Sequence, residues 1–118
     1  MRILLDTHIL LWWLTGDKRL PRAAEDLIAN PDNDVFASAA SIWEIAIKSA
    51  LGRIRSDPVE IEAALGQAGL AELPVTARHA VQVFRLPLHH RDPFDRILLA
   101  QSLAEPMRLI THDKTLAD

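Results

Sequence analysis

The chain contains no cysteine, which excludes disulfides, zinc–thiolate centres and thiol catalysis together and suits a reducing compartment. No apolar run is long enough for the core of a secretory signal or for a bilayer span. The first acid already stands at Asp6, so a soluble cytoplasmic protein with no membrane partner is expected. Basic charge is not in excess either: thirteen Lys and Arg face sixteen Asp and Glu, a net charge of −3. That balance argues against a broad basic face for nucleic acid, although an acidic total can cover a local basic rim. Repeats, linkers and low-complexity segments are absent. With 118 residues, 49% of them hydrophobic, the chain has the size of one domain, spanning 1–118, with a core of its own.

What is present is an alternation of strands and helices. Arg2–Leu5 is a short apolar run broken by Asp6 and reads as a buried strand. Thr7–Leu14 is apolar on nearly all sides, with Gly16 placed to stop a helix. A second helix opens at Leu20-Pro21, and Asp34–Ala37 is a short strand after a turn-forming Asn30–Asn33. Ser38–Leu51 reads as an amphipathic helix ended by Gly52. Ile42, Trp43, Ala46, Ile47 and Ala50 share one side of it, with Ser41, Glu44 and Lys48 on the other. Asp57-Pro58 begins a helix to about Gln67, Leu70–Val75 is a strand, and Thr76 caps a helix to Phe84. After a polar loop, Asp92-Pro93 starts a helix to about Leu103. Met107–Ile110 is the last strand, followed by a helical fragment at Lys114–Ala117. Such alternation predicts a parallel sheet covered on both faces, with ligands beyond the carboxyl ends of its strands.

Taken singly, each acid has an ordinary explanation. Asp6 can cap the helix that follows it. Glu44 stands four residues before Lys48, the orientation of a surface ion pair. Asp92 and Asp95 suit a helix start, where the dipole favours acids, and Asp113 can cap the final fragment. Their joint placement suggests more. Three of the four acids Asp6, Glu44, Asp95 and Asp113 sit at a strand exit or helix start that should open on one edge. A hard cation such as Mg²⁺ or Mn²⁺ needs only a few carboxylates and keeps several waters. It would activate one of those waters and stabilise charge on a phosphoryl oxygen, whereas four adjoining carboxylates without it would repel.

Four ordered segments carry a resemblance: Leu5-Asp6-Thr7-His8, Ser41–Ala46, His90–Arg96 and Leu109–Asp113. In order and spacing the chain resembles PIN-domain proteins, and most closely the VapC-type toxins of bacterial type II toxin–antitoxin pairs. The resemblance implies a three-layer α/β/α fold around a mostly parallel sheet of four to five strands, the smaller number if a final C-terminal edge strand is lacking. It implies an endoribonuclease using Mg²⁺ or Mn²⁺, with Asp6, Glu44, Asp95 and Asp113 as the acidic cluster and Asp92 as an outer ligand or a cap. Thr7 and Thr111 would be supporting polar groups. The partners implied are RNA, a second copy of the chain, and a cognate antitoxin that covers the site, within a dimer or a larger toxin–antitoxin assembly.

Lys48, His90, Arg91 and Arg96 can form the local basic rim that the acidic total obscures. His8 reads as an ordinary polar residue. Trp12, Trp13 and Trp43 lie in apolar helical runs and read as core, while part of Thr7–Leu14 can pack against a partner. A binuclear metallophosphoesterase would also need a Gly-Asn-His segment, which is missing. A receiver-like signalling domain fits the length and alternation, yet Leu70–Val75 exits into Thr76 with no acceptor Asp. A PIN-like binding module without activity is a further reading, but all four acids are present.

Overall fold

The structure is a computed structural model and describes residues 1–88 and 92–112. Four parallel strands form one sheet in the order β3-β2-β1-β4: β1 (Arg2–Leu5), β2 (Asp34–Ser38), β3 (Ala71–Leu73) and β4 (Arg108–Ile110). Between them run α1 (Thr7–Thr15), α2 (Arg22–Ala29), α3 (Ala39–Ala50), α4 (Pro58–Gln67), α5 (Ala77–Val83) and α6 (Pro93–Ala104). The central strand β1 pairs Leu4 with Phe36 on one side and with Leu109 on the other. The expected parallel α/β architecture is therefore the observed one.

The strands are short and apolar because both of their faces are covered. Side chains alternate between two cores. Ile3 and Leu5 of β1, Val35 and Ala37 of β2 and Ile110 of β4 pack under α1–α4, while Leu4, Leu73, Phe36 and Leu109 pack with Leu98 of α6 and Met107. Ile3, Leu4 and Leu5 are wholly buried, each worth about 1.5–3 kcal/mol relative to exposure. A one-residue slip of β1 would exchange its faces, so the register is firmly set.

Element ends follow their capping chemistry. Ser38 accepts from the Ala40 N–H at 3.0 Å, and Asp57 from the Val59 N–H at 2.9 Å. Thr76 and His79 form a reciprocal capping box on α5. Gly16 closes α1 in the left-handed region at φ 66°, which a side chain would resist. Strand β3 stops at Leu73, shorter than the expected Leu70–Val75, because Pro74 has no N–H to continue the ladder. The helical fragment at Lys114–Ala117 and any strand after it lie outside the described residues.

One helix turns opposite to expectation. On α3, Ser41 and Glu44 are buried, while Trp43 is 63% exposed and Ile47 half-exposed. Trp43 therefore lies at the surface, edge-on to Phe94 with ring centres 5.2 Å apart, and not in the core. The polar side turns inward because it finds hydrogen-bond partners at the strand exits, which removes the penalty of burying it. Trp12 and Trp13 are partly buried against the core, as expected.

Candidate functional site

Because all strands run in parallel, their carboxyl ends share one edge, and β1 lies where the chain crosses from one side of the sheet to the other. Asp6 follows β1 directly. Its N–H donates to the Ile110 carbonyl at 3.0 Å, so the pairing of β1 with β4 brings Thr111 and His112 beside it. The Asp6 side chain is buried and divides its two oxygens. Oδ1 accepts from the Ile9 N–H at 2.8 Å and caps α1. Oδ2 accepts from Thr111 Oγ1 at 2.5 Å, the His112 N–H at 3.2 Å and His112 Nδ1 at 3.1 Å. A carboxylate only accepts, so this contact places the ring proton of His112 on Nδ1. Asp6 is thus a helix cap whose second oxygen faces the site.

Glu44 reaches the same place from α3. Its Oε1 accepts from Thr7 Oγ1 at 2.6 Å, and its Oε2 is ion-paired with Lys48 one turn later. The expected i,i+4 pair exists, but Glu44 is only 5% exposed, so the pair is not a solvated surface contact. Thr7 Oγ1 also lies 3.0 Å from Ser41 Oγ. One hydroxyl carries one proton; with the Thr7 proton on the carboxylate, Ser41 is the donor in that second contact. Every one of these buried polar groups is therefore satisfied.

The third approach is the start of α6. Asp92 is its N-cap, accepting from the N–H groups of Phe94 at 2.8 Å and Asp95 at 3.1 Å, and Asp95 lies half-buried in the first turn. Asp6, Glu44, Asp92 and Asp95 all line one cavity of about 110 Å³, together with Lys48, His8 and His112. Among the described residues no three such groups converge as ligands of a single point; the carboxylates instead ring a shared space. By donor type the set fits a hard dication, with hard oxygens around a space able to hold an ion with attached waters. Asp113 lies outside the described residues, as do His90 and Arg91.

Two imidazoles stand in this cavity: His8, which the sequence pattern reads as an ordinary polar residue, and His112. The rings of His8 and His112 meet edge-on with centres 4.6 Å apart, and Trp12 lies 5.2 Å from His112. Desolvation among these rings pushes the His8 imidazole below its ordinary value. His112 and Lys48 add to that, against the smaller opposing pull of Asp6 and Glu44. The only sequence signal for either ring was its place within two residues of an acid at a strand exit. Of the proposed rim, Lys48 lines the cavity, whereas Arg96 donates to the carbonyls of Pro87 at 2.8 Å and Val83 at 2.9 Å and holds the end of α5. A different set of cations, Arg19, Arg53 and Arg55, gathers around a neighbouring cleft; Arg19 lies far in sequence from the other two, and nothing in the pattern joins them.

The family follows from comparison with known proteins. A model of the PIN domain matches residues 3–118, and this chain belongs to that family. Within it the resemblance is to VapC proteins: the chain is 31% identical over 119 residues to "Ribonuclease VapC22" of Mycobacterium tuberculosis, covering 97% of this chain and 88% of the relative. Two solved structures share the fold. VapBC2 from Rickettsia felis, solved bound to a DNA fragment from its promoter, gives a TM-score of 0.69 at 16% identity, covering 99% of this chain and 92% of the other. VapC20 of Mycobacterium tuberculosis, described as a toxin that cleaves the sarcin–ricin loop, gives 0.68 at 20% identity, covering 98% and 92%.

Proposed function

We propose that this chain is an endoribonuclease that hydrolyses RNA phosphodiester bonds at a Mg²⁺ or Mn²⁺ site, and that it is the toxin of a toxin–antitoxin pair. The observation that carries this reading is the gathering of Asp6, Glu44, Asp92 and Asp95 around one small cavity at the strand exits. Residues 1–118 act as a single domain in it. Asp6, Glu44, Asp95 and Asp113 would hold the metal, with Asp92 as an outer ligand. The bound ion supplies a more acidic water and neutralises charge on the phosphoryl oxygen.

The chain's own groups set up that chemistry. Thr111 and His112 fix Oδ2 of Asp6, and Thr7 fixes Oε1 of Glu44. Such outer contacts orient ligating carboxylates and tune their basicity. Lys48 offsets one negative charge of the cluster and stands at the cavity wall, where an RNA phosphate has to come. The names of VapC22 and VapC20 support RNA as substrate. The VapBC2 complex and the toxin–antitoxin complex of Klebsiella pneumoniae support a cognate antitoxin. A homodimer, alone or within a larger assembly, completes the reading. No helix among the described residues is long and apolar enough to cross a membrane, in keeping with action on cytoplasmic RNA.

The test is cleavage of end-labelled RNA. Activity with Mn²⁺ or Mg²⁺ is expected to vanish with chelator and return on adding metal back. Asp6→Asn keeps a side chain that caps helices well but turns an amide NH2 toward the Thr111 and His112 donors, so circular dichroism must show a native fold before its rate is read. Its rate is expected to fall by about 100-fold or more, since even outer-shell partners of a metal cost 10–100-fold. Undiminished cleavage by that variant would overturn the mechanism.

A further inference from the structure

Next to the acid cavity lies a second cleft of about 330 Å³, and His8 lines both. Its floor is the ring cluster of α1: Trp12 lies 5.8 Å from His8 and 5.2 Å from His112, and the Arg19 guanidinium sits over Trp12 at 5.4 Å. Its far wall is the segment after α3, which carries Arg53 and Arg55. Three arginines face one acid there, Asp17. That acid is engaged by Arg19 at 2.8 Å, which holds its carboxyl well down, at about 2. In a chain of net negative charge, this lining is net positive.

The arginines are presented by a braced segment. Gly52 turns the chain in the left-handed region at φ 75°. The N–H groups of Arg53 and Ile54 then donate to the Lys48 carbonyl at 2.8 and 3.3 Å, and Ser49 Oγ donates to the Ser56 carbonyl at 2.8 Å. Ile54 packs on the core, so the alternating neighbours Arg53 and Arg55 point outward. Neither arginine side chain has an ion pair or hydrogen bond among the described residues. Exposed guanidinium groups without partners, held on a fixed backbone, are ready receivers of phosphate, which they bind in a two-pronged manner. Aromatic rings beside such cations suit a nucleoside, the pattern of single-strand recognition.

We infer that the cleft between His8, Trp12, Arg53 and Arg55 is a nucleotide subsite, which takes an RNA phosphate next to the one at the acid cavity and rests its nucleoside on the ring cluster. This rests on the ribonuclease reading, and it names how the strand leaves the cleavage point. The lining favours RNA over an acidic peptide because the cations come with an aromatic floor, while the latter occupant is an outcome of the test.

Binding can be measured apart from cleavage. The full chain is titrated against a fluorescein-labelled single-stranded RNA 12-mer of mixed sequence, in chelator, by anisotropy at several salt concentrations. Arg53→Ala/Arg55→Ala is expected to weaken binding about tenfold. It should also lower the slope of log Kd against log salt by about 0.7, the value for one phosphate contact on a single strand. The control Arg78→Ala/Arg85→Ala removes the same charge from an exposed site elsewhere and should leave both quantities unchanged. Equal loss in that control would mean bulk charge alone and overturn the subsite. So would wild-type affinity and slope in the first variant, or a loss confined to binding of a labelled oligo-glutamate peptide. If instead the RNA binds as expected but metal never yields cleavage, the catalytic reading fails and the binding subsite stands.

Discussion

At the scale of single residues, the site is built from side chains that do two things at once. Asp6 caps α1 through one oxygen and faces the cavity with the other; Thr7 starts the same helix and donates to Glu44. Asp6 and Asp92 do cap helices and Glu44 is paired with Lys48, and these roles do not compete with the cavity. What the sequence did not reveal was burial. Nothing in the pattern Ser41-Ile42-Trp43-Glu44 says that Glu44 turns inward, since its partner Thr7 lies 37 residues away. Thr7→Val should leave Glu44 Oε1 and Ser41 without their hydrogen bonds, at a cost of about 1–3 kcal/mol for the buried groups. Urea unfolding checks this, and Thr7→Ser, which restores the hydroxyl, is expected to recover most of the loss. A Thr7→Val protein as stable as the wild type would mean that the hydroxyl contributes nothing.

At the scale of elements, capping chemistry was the most readable part of the chain. Asp57-Pro58 and Asp92-Pro93 each mark a helix start to the residue, and Gly16 marks a stop. Gly16 has open space around it, so its requirement is purely one of backbone angle. Gly16→Ala is therefore expected to cost about 1–2 kcal/mol, the penalty of a left-handed conformation with a side chain, read as a shift in urea midpoint with an unchanged slope. Periodicity did less well on α3. Its apolar residues do share one side, but part of that side, Trp43 and Ile47, faces outward. The polar side of α3 finds its partner in Thr7 of α1, and hydrophobic spacing alone carries no record of it. The strand–helix order, by contrast, needed only local composition, and the parallel sheet followed from it.

At the scale of the whole molecule, the amino end of the sheet is tied as well as the carboxyl end. Glu105, at the end of α6, accepts from the buried His79 at 2.6 Å and pairs with Arg2 of β1 at 3.4 Å. His79 Nδ1 faces the Thr76 N–H at 3.1 Å, so its ring proton sits on Nε2 and points at Glu105. That hydrogen bond, with Arg2 adding, holds the Glu105 carboxyl below its ordinary range. A carboxyl depressed in the folded state stabilises the fold above its unfolded value and loses that contribution as pH falls through the folded one. Glu105→Gln should then be less stable than the wild type at pH 7, with the gap closing below about pH 4, where an unperturbed Glu takes up its proton. Urea melts at both pH values test this; a gap independent of pH would contradict it. The carboxyl edge has a consequence of another kind. One oxygen of Asp6 is gripped by residues 105 and 106 positions further along. A ribosome making this chain must release Thr111 and His112 before β4 can dock and that grip can form. An interrupted translation product would carry Asp6 and Glu44 without a finished pocket.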